Sequence, residues 1–409
     1  MINVAIMGHG VVGSGVAEIL HNYKDRITQK AQEEINVKYI LDLRDFEGLD
    51  YSEKFVKDFN LILSDPEIKI VVEVMGGCTF AYDYVKACLL AGKSVCTSNK
   101  ELVAAKGDEL LDIALDKNVN FLFEASVGGG IPVLRPMAQC LTANEITEVT
   151  GILNGTTNFI LTKMISENMS FADALSLAQE LGYAEKDPTA DIEGHDTCRK
   201  ICILASLGFG KHVYPEQVKT EGITNISLSD VDYAAEFNYV IKLVGRTRKL
   251  EDGTITANVY PALINKNNML AGVSDVFNAI MVRGDAVGDV MFYGRGAGKF
   301  PTASAVVGDV IDCAKHLTAR KYLHWNKGYD NYVSSTQNDI TRFFVRVKSN
   351  NIEDTKKEIE TKLSTVSYFI NYNDNEIAFL TENDIENTLI KQINSLTDCE
   401  VIKILHAIY

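Results

Sequence analysis

The stretch that most restricts the fold lies at the start of the chain. Ile2-Asn3-Val4-Ala5-Ile6-Met7 is an apolar run one strand long, it ends in Gly8-His9-Gly10-Val11-Val12-Gly13, and Ser14 to Leu20 continues with helical apolar spacing. Strand, glycine turn and helix in that order predict a doubly wound parallel α/β sheet grown from the first strand. Each glycine has a task in a dinucleotide site: Gly8 makes the tight turn, Gly10 lets backbone approach a pyrophosphate, and Gly13 allows close helix packing. The N–H groups of the helix start then face the phosphates. Taken alone, the motif could also be a purely structural turn.

A second strand is read over Val37 to Leu43, and its tip carries Asp42, Arg44 and Asp45. An acidic side chain there would hold the ribose 2′-OH of NAD, whereas an arginine would accept the 2′-phosphate of NADP. NADP is favoured through Arg44, with NAD kept open. The pattern continues with a strand over Ile70 to Met75 running into Gly76-Gly77, a helix near Ala81 to Ala91, and Ser94-Val95-Cys96-Thr97-Ser98-Asn99-Lys100. Apolar strands that end in small residues put those residues at the carboxyl edge of a parallel sheet, where ligands bind. Lys100 stands at that edge.

At 409 residues the chain exceeds one ordinary core, so two or three domains are expected. The net charge of −15, with no long basic run, opposes nucleic-acid binding. The apolar N-terminus has no basic leader and is too short to span a bilayer, which predicts a cytoplasmic protein without a membrane partner. Eight cysteines include no Cys-x-x-Cys pair, and no His pair has zinc spacing, so free thiols are expected.

Further along, Phe121 to Ser126 reads as a strand entering Val127-Gly128-Gly129-Gly130-Ile131-Pro132. Three adjacent glycines suit close backbone approach to a cation or ligand, or else a hinge. Asn154-Gly155-Thr156-Thr157-Asn158 leads into a helix expected to start near Phe159, with Thr156, Thr157 or Asn158 as its cap. A helix is read over Ile192 to Ser206, where Asp196 and Lys200 lie four apart on one face. They form either a surface ion pair, worth at most about 1 kcal/mol, or a proton donor with its positioning carboxylate, since hydride arriving at a carbonyl creates an alkoxide that needs a proton. A last glycine-rich segment, Gly294 to Gly298, precedes another helix and is expected to return over the cofactor.

With these segments in order, residues 1 to 325 resemble the homoserine dehydrogenases. The resemblance implies a Rossmann domain over 1–130 that binds NADP or NAD and is completed by about 300–325. It further implies an α/β substrate and dimerisation domain over 131–325, and interconversion of L-aspartate 4-semialdehyde and L-homoserine in threonine and methionine biosynthesis. Carried over residue by residue, Lys200 is the acid/base lysine with Asp196 beside it, and Lys100 sits between cofactor and substrate. Glu185, Asp191, Asn154 and Thr156 face the substrate, with Glu185 on its amino group. Gly8, His9, Gly10, Val11, Val12, Gly13, Arg44, Gly76, Ser98 and Gly296 line the cofactor. Glu124 with the backbone of Val127, Gly129 and Ile131 forms a sodium site, and the assembly is a homodimer or homotetramer. The rivals are a non-catalytic sensor of redox state and amino acid, and a dehydrogenase for a related amino-acid aldehyde.

Residues 329–409 contain neither glycine nor proline. After a linker at 326–338, segments 340–347, 352–363, 366–372, 376–381, 385–396 and 400–408 read as strand, helix, strand, strand, helix and strand, a ferredoxin-like unit over 339–409. At this place it resembles the ACT regulatory domain of longer homoserine dehydrogenases. The turn that carries a glycine in such domains is Lys348-Ser349-Asn350-Asn351 here, and asparagine is expected to supply its left-handed conformation. Threonine feedback and a purely dimerising role are both consistent with that turn.

Overall fold

A computed structural model describes residues 1–319, 321–334, 339–371 and 374–409 of the chain. It divides into two compact units, one of residues 1–149, 202–216 and 282–329, the other of residues 150–201, 217–281 and 330–409.

The first unit begins with β1 (Ile2–Met7), α1 (Val11–Asn22), α2 (Lys24–Ala31) and β2 (Ile35–Leu41). It continues with β3 (Phe55–Val56), α3 (Asn60–Ser64), β4 (Ile68–Glu73), α4 (Thr79–Leu90), β5 (Ser94–Thr97), α5 (Lys100–Asp116) and β6 (Phe121–Leu122). The six strands form one parallel sheet in the order β3-β2-β1-β4-β5-β6. Strand order reverses between β1 and β4, which opens a crevice at their carboxyl ends. All six residues of β1 are buried, as a strand covered on both faces requires. Part of that cover comes from far along the chain: the helix Lys299–Lys315 places Ala303, Val306, Val310 and Cys313 in one core with Ile2, Val4, Val16 and Ile70. The approach is close enough that a Cβ on Gly15 would lie 2.9 Å from the Ala303 methyl.

The helix that begins at Lys100 is anchored from behind. His212 Nε2 lies 2.9 Å from Ala104 O, and Trp325 Nε1 donates to His212 Nδ1 at 3.0 Å. An indole N–H can only donate, so Nδ1 is the acceptor and the imidazole is neutral with its proton on Nε2. Burial favours the same state by lowering the His212 pKa.

In the second unit the strands Tyr239–Lys249 and Ile255–Asn265 pair antiparallel along their whole length. The tail joins the same sheet. Cys399–Ile408 runs parallel to the second of these strands, pairing Ala262 with His406 and Ile264 with Ile408, and antiparallel to Ile340–Ser349 on its other side. Glu376–Thr381 and then Thr365–Asn371 follow outward, and the helices Ile352–Lys362 and Glu386–Asn394 complete the βαββαβ order. A charged node ties the tail to the helix Leu228–Glu236: Asp230, fully buried, lies 3.3 Å from Arg346 Nη1 and 3.5 Å from Lys403 Nζ.

Several local expectations change. The strand at Phe121 stops at Leu122, because Glu124–Ser126 turns into a 3₁₀ segment. The helix expected at 192–206 spans His195–Phe209, after a separate turn at Thr189–Ile192. Among the described residues of the tail, Asn331, Asn375 and Asp398 are left-handed, whereas Asn351 has φ −137° and caps the helix that follows it, its side chain accepting from Asp354 N. The turn after the first tail strand therefore forms by capping, not by a left-handed asparagine. Part of the expected linker, 335–338, and Tyr372 lie outside the described residues.

Candidate active site

In the first unit the glycine turn divides its tasks as the spacing suggests. Gly8 has φ +99°, and a Cβ on Gly13 would sit 2.0 Å from Gly8 O, so both positions are closed to any side chain. Around Gly10 nothing lies within 4 Å of a Cβ position. No side chain caps the start of α1 at Gly10, which leaves its first amides for an anion. A cavity of about 580 Å³ opens there, lined among others by Gly8, His9, Gly10, Arg44 and Gly76. This shape and donor set fit a dinucleotide phosphate.

At the tip of β2, Asp42 Oδ2 accepts from His9 N at 2.8 Å and from Arg44 Nη2 at 2.9 Å, while Oδ1 accepts from Arg44 N and Nε at 3.0 Å. These bonds, those from the Arg44 side chain foremost, hold the Asp42 carboxyl well below the usual carboxylate range despite its burial. Both oxygens of Asp42 are thus engaged, whereas the Arg44 side chain is 62% exposed at the cavity wall with Lys57. His9 takes part through its backbone. Its ring is turned among Phe46, Tyr51 and Phe55, with Nε2 3.2 Å from Tyr51 Oη, and burial lowers its pKa.

The remaining first-unit candidates lie at other strand ends. Val11 is exposed and Val12 half-buried on the first turn of α1. Ser98 and Lys100, both half-buried, follow β5, and Lys100 is the first residue of α5. Gly296 packs on the triple-glycine loop: its carbonyl would lie 2.5 Å from a Cβ on Gly129, and Gly130 N donates to Arg295 O at 3.3 Å. Glu124 is buried, with Oε1 accepting from Val133 N and Leu134 N at 2.6 and 2.8 Å and Oε2 from Arg135 N at 2.8 Å. The carboxylate closes the loop that contains Val127, Gly129 and Ile131.

In the second unit the candidates converge on Asn154. The helix Gly155–Glu167 starts four residues earlier than expected because Asn154 caps it, its Oδ1 accepting from Thr157 N at 2.8 Å. Its amide nitrogen donates to Asp191 Oδ1 at 2.6 Å and Asp196 Oδ2 at 2.9 Å. Lys200 Nζ donates to Asp196 Oδ2 and to Leu153 O, both at 2.6 Å. The side chains of Lys200 and Asp196 are 9% and 7% exposed, so the surface-pair reading is overturned: out of water such a pair needs further polar partners, and the Leu153 carbonyl and the Asn154 amide are among them. Thr156 Oγ1 is turned to Tyr183 O at 2.6 Å, and Glu185 is exposed at the end of that segment.

Among the buried charges that the sequence reading missed, two stand inside apolar strands. Lys242 donates to Asn158 Oδ1 at 3.1 Å and Val273 O at 2.6 Å, and burial pulls its pKa down to about 8. Glu73 ends β4 fully buried. The available signal was the same in both cases, one charge inside an apolar run: Val240-Ile241-Lys242-Leu243-Val244 and Ile70-Val71-Val72-Glu73-Val74. The tail holds a cavity of about 840 Å³ at Lys348–Asn351, bordered by Asp354, Glu358, Asp398 and Glu400.

Comparison with known proteins agrees with this layout. Residues 8–124 match the family described as the NAD binding domain of homoserine dehydrogenase, and residues 132–311 match the homoserine dehydrogenase family. The homoserine dehydrogenase of Lactococcus lactis is 41% identical over 320 residues, covering 77% of this chain and 74% of that protein. The crystal structure of a homoserine dehydrogenase from Thiobacillus denitrificans superposes with a TM-score of 0.90 at 34% identity, covering 100% of this chain and 98% of the other. A hyperthermophilic archaeal homoserine dehydrogenase mutant in complex with NADPH has a TM-score of 0.66 at 31% identity over 76% of this chain and 97% of its own. Two matched domains in sequence, and relatives covered over most of their length, establish that the chain belongs to the homoserine dehydrogenase family of oxidoreductases.

Proposed function

We propose that this chain interconverts L-aspartate 4-semialdehyde and L-homoserine with NADPH as its preferred cofactor, in the cytoplasm, as a homodimer or homotetramer. The observation that carries the chemistry is the buried Lys200–Asp196 pair held by Leu153 O and Asn154. NADPH, held at the glycine turn with Arg44 at its 2′-phosphate, would supply the hydride for the aldehyde carbon. As charge builds on the carbonyl oxygen, the Lys200 ammonium gives it a proton, and in the reverse direction the amine takes that proton back. Asp196 fixes the ammonium in place. Glu185 holds the substrate amino group, Asp191, Asn154 and Thr156 shape the pocket, and Lys100 adds a second cation.

The NADPH preference is supported by Arg44. With both oxygens of Asp42 engaged, a ribose 2′-OH meets no free acceptor there, while the exposed guanidinium suits a phosphate. Glu124 with the carbonyls of Val127, Gly129 and Ile131 is proposed as a structural sodium site, supported by the left-handed turn at Gly128 and Gly129 (φ +71° and +55°) and by the Glu124 carboxylate, which holds that loop closed through the amides of Val133, Leu134 and Arg135. For the tail, the βαββαβ order and the cavity at Lys348–Asn351 support an ACT-type module that takes an amino-acid effector.

Turnover of aspartate semialdehyde by the purified protein should be faster with NADPH than with NADH, and Arg44→Ala should raise the KM for NADPH about 10-fold or more while leaving that for NADH near its starting value. Equal use of both cofactors, unchanged by the substitution, refutes the assignment. Lys200→Ala should lower kcat by roughly 10²–10⁴ with little change in nucleotide affinity; near-normal kcat removes Lys200 from the mechanism. Replacing choline chloride by sodium chloride should raise the melting temperature of the wild type but not of Glu124→Gln, and equal responses count against the ion site. Threonine titrated against initial rate should inhibit, whereas a flat titration leaves the tail a dimerising module.

A further inference from the structure

We propose that Glu73 is a positioning residue which locks the Met75–Gly77 turn of the cofactor cavity to the Thr97–Lys100 turn, so that cofactor and Lys100 are held in one register. The inference rests on the reading of Lys100 as an active-site lysine.

The carboxylate sits at the carboxyl end of β4 with no exposure to water, and it has two arms. Oε1 accepts from Met75 N at 2.8 Å and Gly76 N at 3.3 Å, and both residues line the cofactor cavity. Oε2 accepts from Thr97 Oγ1 at 2.6 Å. The Thr97 oxygen in turn accepts from Asn99 N at 2.9 Å. Asn99 closes the ring: its Nδ2 donates to Gly77 O at 2.6 Å, while its Oδ1 accepts from Leu102 N and so caps α5 just before Lys100. Two turns that leave neighbouring strands are thereby linked through a single buried carboxyl group. Thr97 is fully buried and Asn99 nearly so, which keeps water from competing for these bonds.

A carboxyl group is an expensive way to fill a strand end. Burial pushes the Glu73 pKa up, and the hydrogen bonds from Thr97, Met75 and Gly76 work against that rise. Core packing alone would be served by an apolar side chain, so the group's distinct contribution is the link between the two turns. Gly76 and Gly77 both have positive φ, at +80° and +72°, and the amides of Met75 and Gly76 are directed inward to the carboxylate.

The two arms can be cut separately. Thr97→Val removes only the arm toward Lys100, so kcat should fall about 10-fold while the Kd for NADPH, read by nucleotide fluorescence, stays within about twofold. Thr97→Ser keeps the hydroxyl and should restore kcat. Glu73→Gln disturbs both arms, so Kd should rise and kcat should fall, and adding Thr97→Val should lower kcat no further because both act through one link. Melting curves identify folded variants, and if Glu73→Gln does not fold, the Val and Ser variants at Thr97 still decide. Wild-type kcat in Thr97→Val, equal loss in the Ser and Val variants, or multiplied losses in the double variant overturn the proposal. Lys100→Met separates the two claims: retained kcat there sinks the reading of Lys100, whereas collapse there with full activity in Thr97→Val sinks the proposal alone.

Discussion

An ammonium taken out of water has to be met by partners the chain brings with it, and the second unit is arranged around that demand. Lys200 reaches a main-chain carbonyl and a carboxylate, both at 2.6 Å, and the carboxylate is itself met by the amide of Asn154. Asn154 can do so because its carbonyl oxygen caps the helix Gly155–Glu167, which leaves its amide nitrogen pointing at Asp191 and Asp196. The start of that helix, the turn Thr189–Ile192 and the first turn of the helix His195–Phe209 are thus placed by one network of polar groups. Gly155, the first residue of that helix, also lies close to another segment, since a Cβ there would lie 2.8 Å from Val276 O.

The sequence was most informative where chemistry depends on order along the chain. Gly8, Gly10 and Gly13 each need a particular backbone environment, so their spacing announced a turn whose geometry follows directly. Asp196 and Lys200 were legible as a pair because helical spacing puts them together. Their burial was not, because it is decided by Leu153 and Asn154, more than 40 residues away in the chain. The same limit explains Arg44. That it follows a strand tip could be read, but its grip on Asp42 is a matter of side-chain direction. Helix starts failed by a few residues for a related reason: Asn154, Thr156, Thr157 and Asn158 can all cap, and tertiary partners choose among them.

Buried acids are used in two ways here. Glu73 serves the backbone amides of Met75 and Gly76 just past the end of β4, and Glu124 serves those of Val133, Leu134 and Arg135 ahead of the helical turn Pro136–Cys140, N–H groups that have no ladder partner. In the second unit Asp196 and Asp230 serve cations, Lys200 in one case and Arg346 with Lys403 in the other. Replacing an acid that holds amides loosens a turn, whereas replacing one that holds a cation strands a buried charge, and the second loss is the larger.

The parallel pairing of Ala262–Ile264 with His406–Ile408 also orders events in time. The strand Ile255–Asn265 can form its hairpin with Tyr239–Lys249 as soon as both are made, and Lys219–Thr220 pairs with its other edge at Asn258 and Val259, but the Ala262–Ile264 part of that edge stays bare until residues 399–408 have left the ribosome. Contacts across so long a stretch of chain form slowly, and an apolar strand waiting with one open edge is a template for pairing with the wrong partner. Biogenesis of this protein therefore passes through an interval in which the second unit is nearly built yet prone to aggregation, and shielding of that edge by a chaperone would raise the yield of folded chains.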